Sequence, residues 1–130
     1  MTETEPHRPA DAPAWLVELY RKVDSLEPDA IVDAFAADGE MRFGSGDPLV
    51  GKEAVRAGVT WLCSSYRRMS HRFINVWDLG DTALLEAIVT YDCLDGRTVP
   101  VPVVTIIERC GEEVTSLRFY SDPAALRAPT

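Results

Sequence analysis

His71 is the residue whose type and place first suggest chemistry, standing in a stretch dense in strand-forming residues. An imidazole exchanges a proton near neutral pH and can serve as acid or base. The alternative is a histidine satisfied by a backbone carbonyl. Glu86, Ile88, Thr90 and Asp92 fall on one face of a later strand by alternation. A carboxylate turned inward is costly as an anion unless paired. Pairing Glu86 with His71 would make an acid/base unit, because a carboxylate orients an imidazole and raises its basicity. The alternative is a Glu86 carried to solvent by a bulge. Asn75, Thr105 and Ser121 offer hydrogen bonds that could orient a carbonyl or hydroxyl, or could simply find ordinary partners.

Other chemistries have no foothold. Cys63, Cys93 and Cys110 are an odd number at wide spacing, with no CxxC or Cys/His ligand pattern. They read as reduced thiols of a cytoplasmic protein, with no metal or other cofactor expected. No GxSxG, P-loop or GxGxxG motif occurs. Arg67 and Arg68 follow a helical stretch and suit its C-terminus. Thirteen basic against 21 acidic residues leave a formal charge of −8, which argues against a nucleic-acid or anionic-membrane partner. The 130 residues suffice for one domain, and no apolar run reaches the length of a membrane span.

These residues must be positioned by elements, and the apolar spacing predicts them. Residues 14–24 carry Trp15, Leu16, Leu19, Tyr20 and Val23 at helical intervals, with Pro13 suited to the first turn. A second helix is expected from Asp29, with Ile31, Val32, Phe35 and Ala36 as its stripe and Gly39 as its end. Residues 40–43 suggest a short strand, and 52–66 a third helix. Four strands are expected over 71–79, 83–94, 99–109 and 114–120, with Asp95-Gly96 as a hairpin turn. Pro100 and Pro102 place the first half of the third of these at an edge or bulge. Asp122-Pro123 reads as a strand end with a capping aspartate. Residues 1–13, with His7, read as a flexible tail without the layout of a signal peptide, and 127–130 as a second tail.

Helices first and a meander last suggest an α+β fold, with N-terminal helices packed on a strongly curved antiparallel sheet that forms a cone with an internal pocket. The stretches LEPDAIVDAFAADGEMRF, LVGKEAVRAGV, HRFINVWDLGDTALLEAIVTYDCLDGRTVPVP and VTSLRFYSDPAAL resemble the nuclear-transport-factor-2-like superfamily, and within it the SnoaL-like group, over residues 14–126. That group includes polyketide cyclases, ketosteroid isomerases, limonene-epoxide hydrolases and scytalone dehydratase, and also proteins with no reaction.

The resemblance places Phe43 where ketosteroid isomerases carry their carboxylate base, Leu19 (beside Tyr20) at their tyrosine, and Thr105 at their protonated aspartate. Phe119 stands where the cyclases and epoxide hydrolases carry an aspartate. His71 matches the pocket histidine of scytalone dehydratase and its relatives. The resemblance also turns the face with Glu86 and Thr90 toward the cavity and leaves Leu85, Ala87, Val89 and Tyr91 for packing or a dimer. It implies a cofactor-independent catalyst of cyclisation, isomerisation, dehydration or epoxide opening on a small polyketide-, terpenoid- or steroid-like molecule. His71 and Glu86 would be catalytic. Trp15, Leu19, Phe43, Trp61, Phe73, Asn75, Thr90, Thr105 and Phe119 would line the substrate site. A homodimer is expected. The alternative is a binding protein of the same fold without catalysis, favoured by the missing carboxylates at Phe43 and Phe119.

Overall fold

The computed structural model describes residues 12–127; His7 and the rest of segments 1–11 and 128–130 lie outside the described residues. Helix α1, Ala14–Asp24, starts on Pro13 and buries Leu16, Leu19, Tyr20 and Val23, the stripe its spacing predicts. Helix α2, Pro28–Asp33, is a short turn burying Ile31 and Val32.

The chain then departs from the expected longer helix. Phe35 and Ala36 open strand β1, Phe35–Phe43, instead of closing α2. Phe35 lies opposite Val114, wholly buried, and the strand is irregular between Phe35 and Glu40. Gly39 belongs to this irregular stretch, where a Cβ would sit 2.9 Å from the Val114 carbonyl oxygen. The glycine permits a close strand approach here, not a helix end.

A two-residue strand, β2 (Leu49–Val50), pairs with β1, and Gly51, at φ 89°, caps helix α3, Lys52–Ser65. The remaining strands are β3 (Tyr66–Asp78), β4 (Thr82–Cys93), β5 (Thr98–Cys110) and β6 (Glu113–Ser121). They form one six-stranded sheet in the order β2-β1-β6-β5-β4-β3, antiparallel except for the β1–β6 pair. The sheet is curled and unclosed, so the fold is α+β as expected, with mixed rather than purely antiparallel pairing. Among the described residues, 98–102, including Pro100 and Pro102, pair with β4 alone, and β6 joins only from Val103. The prolines thus sit where one side of the strand is open. Arg67 and Arg68 belong to β3 rather than to a helix end; Arg68 lies 3.4 Å from Asp92 on β4.

Along β4 burial alternates without a break: Ala83, Leu85, Ala87, Val89, Tyr91 and Cys93 are buried and the residues between them are not. The more apolar set faces the helices because that choice removes more apolar surface from water. This inverts the facing implied by the resemblance. Glu86 and Thr90 lie on the outer face of the sheet, and Leu85, Ala87, Val89 and Tyr91 on the inner one.

Candidate functional site

The inner face of the sheet and helices α1, α2 and α3 surround a small cavity of about 50 Å³. Most of its wall is apolar, including Met41, Leu62, Val89, Val103 and Leu117. Four polar side chains interrupt it: Tyr20, His71, Tyr91 and Thr105.

His71 is placed by an edge strand. Among the described residues β3 pairs only with β4, so every second backbone N–H along it points off the sheet. The His71 N–H donates to Asp24 Oδ2 at 3.0 Å, and His71 Nδ1 lies 2.6 Å from Asp24 Oδ1. One carboxylate therefore holds both the main chain and the ring of one residue. A carboxylate accepts, so Nδ1 carries a proton, and in the neutral ring Nε2 is the nitrogen with the free lone pair. The His71 side chain is 8 % exposed and that of Asp24 26 %. Asp24 is the last residue of α1, where the helix dipole disfavours a negative charge. Two hydrogen bonds to His71 offset that disadvantage.

Tyr20 lies one helical turn before Asp24 on the same face of α1. Its ring meets the His71 ring edge-on, centroids 4.6 Å apart, and Phe73 at 5.6 Å. Burial pushes the Tyr20 hydroxyl far above its ordinary value near 10; hydrogen bonding with Thr105 acts against this, and the charges of Asp24 and Tyr91 add to it. Burial likewise pushes Tyr91 up to about 12. Both are neutral hydroxyls at physiological pH. The cavity thus presents an oriented imidazole, a neutral phenol and the Thr105 hydroxyl, which is 2 % exposed.

The sequence of residues 16–116 matches the pattern of the SnoaL-like domain family. The chain belongs to the SnoaL-like domain family. No curated protein matches it. Solved structures with the same fold include a protein of ketosteroid isomerase-like fold from Catenulispora acidiphila, in complex with trimethylamine. It shares 21 % identity over 88 % of this chain and 89 % of its own, at a TM-score of 0.79. A protein named as a SnoaL-like polyketide cyclase, from a Jannaschia species, shares 21 % identity over 86 % of this chain and 85 % of its own, at a TM-score of 0.74. TerC, co-crystallised with polyporic acid, shares 14 % identity over 86 % of this chain and 92 % of its own, at a TM-score of 0.73. Likeness at these identities shows the nuclear-transport-factor-2-like fold alone.

Within this SnoaL-like domain the structure brings together some of the expected residues and separates others. His71, Phe43, Thr105 and Phe119 line the cavity. Phe43 and Phe119 meet edge to face, centroids 4.7 Å apart. Trp61 stands at the mouth, 59 % exposed. Leu19 is core, buried in α1. Trp15 lies outside the cavity beneath the Arg109 guanidinium, 4.2 Å from ring centre to charge. Phe73 is half-buried against the core and touches Tyr20 rather than the cavity.

Glu86 does not meet His71. It accepts a hydrogen bond from Asn75 Nδ2 at 2.8 Å on the outer face, where Thr90 also lies. A bulge explains Asn75: Phe73 pairs with Ala87 and Asn75 with Glu86, so Ile74 is the extra residue that reverses the alternation. Sequence reasoning missed Tyr20, Asp24 and Tyr91. The signal for the first two was present, as a tyrosine and an aspartate four residues apart with the acid at a helix C-terminus, where it is electrostatically misplaced unless something uses it.

Proposed function

We propose that this SnoaL-like domain is a cofactor-independent acid/base catalyst acting on a small hydrophobic molecule with a carbonyl or hydroxyl oxygen. The Asp24–His71 pair, at 2.6 Å behind an apolar cavity wall, is the observation that carries the reading. His71 Nε2 would take a proton from carbon next to a carbonyl. The electron pair would move onto the carbonyl oxygen, which Tyr20 and Thr105 would hold by donating hydrogen bonds. The proton would return from Nε2 at the same or a neighbouring carbon. Asp24 is a positioning residue: it sets the tautomer and offsets the charge of the imidazolium that forms. The low-polarity wall strengthens each of these interactions. That the fold accommodates small molecules is supported by its trimethylamine and polyporic acid complexes. A cyclase role for some relatives agrees with enolate chemistry.

Exchange of the α-protons of 2-tetralone for deuterium in D₂O, followed by NMR, tests this directly. Wild type is expected to accelerate exchange, and His71→Asn to lose a factor of about 10²–10⁴. Exchange no faster than buffer, with tetralone nonetheless bound, would favour the second reading, a binding protein without catalysis. The Phe43–Phe119 pair across the cavity, with no carboxylate at either position, is what speaks for that reading.

The outer face of the sheet completes the proposal. Trp77, Leu84, Val104 and Tyr120 form an apolar surface there, with Val104 41 % and Tyr120 42 % exposed. We propose that a second copy of the chain covers it, back to back, leaving both cavities open.

A further inference from the structure

We propose that the site takes an elongated ligand in two compartments: an oxygen-bearing ring in the cavity described above, and a second flat, uncharged apolar group in an outer vestibule whose wall is a strap latched by Arg97. The inner half of this rests on the acid/base reading; the outer half stands on separate observations.

The vestibule has a volume of about 310 Å³ and shares Phe43, Leu62, Tyr91 and Phe119 with the inner cavity, so the two spaces adjoin through common walls. Trp61 and Tyr66 extend it outward. Trp61 holds only an edge contact with Phe43, centroids 6.1 Å apart, and leaves most of its large surface unburied. Among the described residues no charged side chain lines this space, and its polar side chains beyond the tyrosines are the hydroxyls of Ser45 and Ser121. Such a lining suits a flat apolar group and gives an ionic one no partner.

The opposite wall is the turn Pro123–Leu126, of which Pro123 and Leu126 face the vestibule. This turn buries no residue fully, so its own packing holds it weakly. Arg97, from the β4–β5 hairpin, fixes it instead. Its Nη1 donates to the Ala125 carbonyl at 3.3 Å and its Nη2 to the Leu126 carbonyl at 3.0 Å. Asp95 Oδ2 accepts from Arg97 Nε at 2.8 Å and aims the guanidinium. At the start of the strap, Asp122 Oδ1 accepts from the Ala124 N–H at 3.0 Å. A planar guanidinium bridging two successive carbonyls defines a position that a single flexible contact would not. Arg97 thus fixes the one wall of the vestibule that comes from the strap.

Binding of 2-naphthol and of 6-phenyl-2-naphthol, measured by calorimetry on wild type, Arg97→Gln, Trp61→Ala and Leu126→Ala, tests the inference. In wild type the phenyl compound is expected to bind at least about tenfold tighter than 2-naphthol. The three variants are expected to remove most of that advantage while leaving 2-naphthol within about twofold of wild type. Equal weakening of both compounds, or no advantage from the phenyl group in wild type, overturns the two-compartment inference and leaves the inner site standing. Failure of both compounds to bind wild type overturns both readings. Leu126→Ala probes the strap without touching the guanidinium, so the result does not hang on one variant.

Discussion

Tyr20 and Tyr91 show how burial sets the chemistry of single residues. Both hydroxyls keep their protons well above the ordinary value near 10, chiefly because an anion in this cavity would be poorly solvated. The same shift has a consequence for stability. Above pH 10 the unfolded chain loses tyrosine protons that the folded chain retains. The contribution of each tyrosine is complete below pH 10 and is lost as pH rises toward 12 for Tyr91, and further for Tyr20. The slope is about 1.4 kcal/mol per pH unit and group. Denaturant midpoints between pH 9 and 11.5 should fall in wild type and fall less steeply in Tyr91→Phe; parallel curves would contradict the burial argument. His71 was legible as a single residue because an imidazole titrates near neutral pH, and Thr105 because the family resemblance placed it at a catalytic position. Tyr91 was not, because a tyrosine in a strand is ordinary core until a cavity forms beside it.

The joint between α1 and β3 belongs to the scale of elements. An edge strand offers unpaired N–H groups, and the last residue of α1 supplies the acceptor. Strand covering and ring orientation are one contact here, so a change at Asp24 reaches both. In Asp24→Asn the amide no longer compels an Nδ1 proton. ¹⁵N NMR should show His71 as the Nδ1–H tautomer in wild type and a shift toward Nε2–H in the variant. Glu86→Gln should leave the His71 ring nitrogens unmoved, since Glu86 bonds to Asn75 on the other face. An effect of Glu86→Gln as large as that of Asp24→Asn would refute this arrangement. The long strands were legible to within a few residues because apolar alternation and the Asp95-Gly96 turn mark them locally. Where β3 begins was not: residues 66–68 read as helix end, and pairing with β4 draws them into the sheet. The bulge at Ile74 was equally hidden, since no local preference announces which residue a strand leaves unpaired.

At the scale of the whole molecule, the sheet has one face spent on the cavity and another still open. Val104 and Tyr120 on that open face neighbour the Glu108–Arg118 ion pair and the Asn75–Glu86 hydrogen bond, a mix of apolar centre and polar surround typical of an interface. Light scattering on wild type should give the mass of two chains. Val104→Lys should give that of one, with the circular dichroism spectrum preserved. A single-chain mass for wild type would remove the back-to-back pairing.

The order of helices and strands, the α+β class and the apolar stripe of α1 were determined by the sequence, because helical and strand periodicity, turn residues and proline act over a few neighbours. The proton-handling centre was decided only by the tertiary structure. Asp24 and His71 are 47 positions apart, and their meeting depends on which strand is the sheet edge and where α1 ends against it. The facing of β4 was decided there as well: alternation divided its residues into two sets, and burial of the more apolar one sent Glu86 away from the site that its charge had suggested.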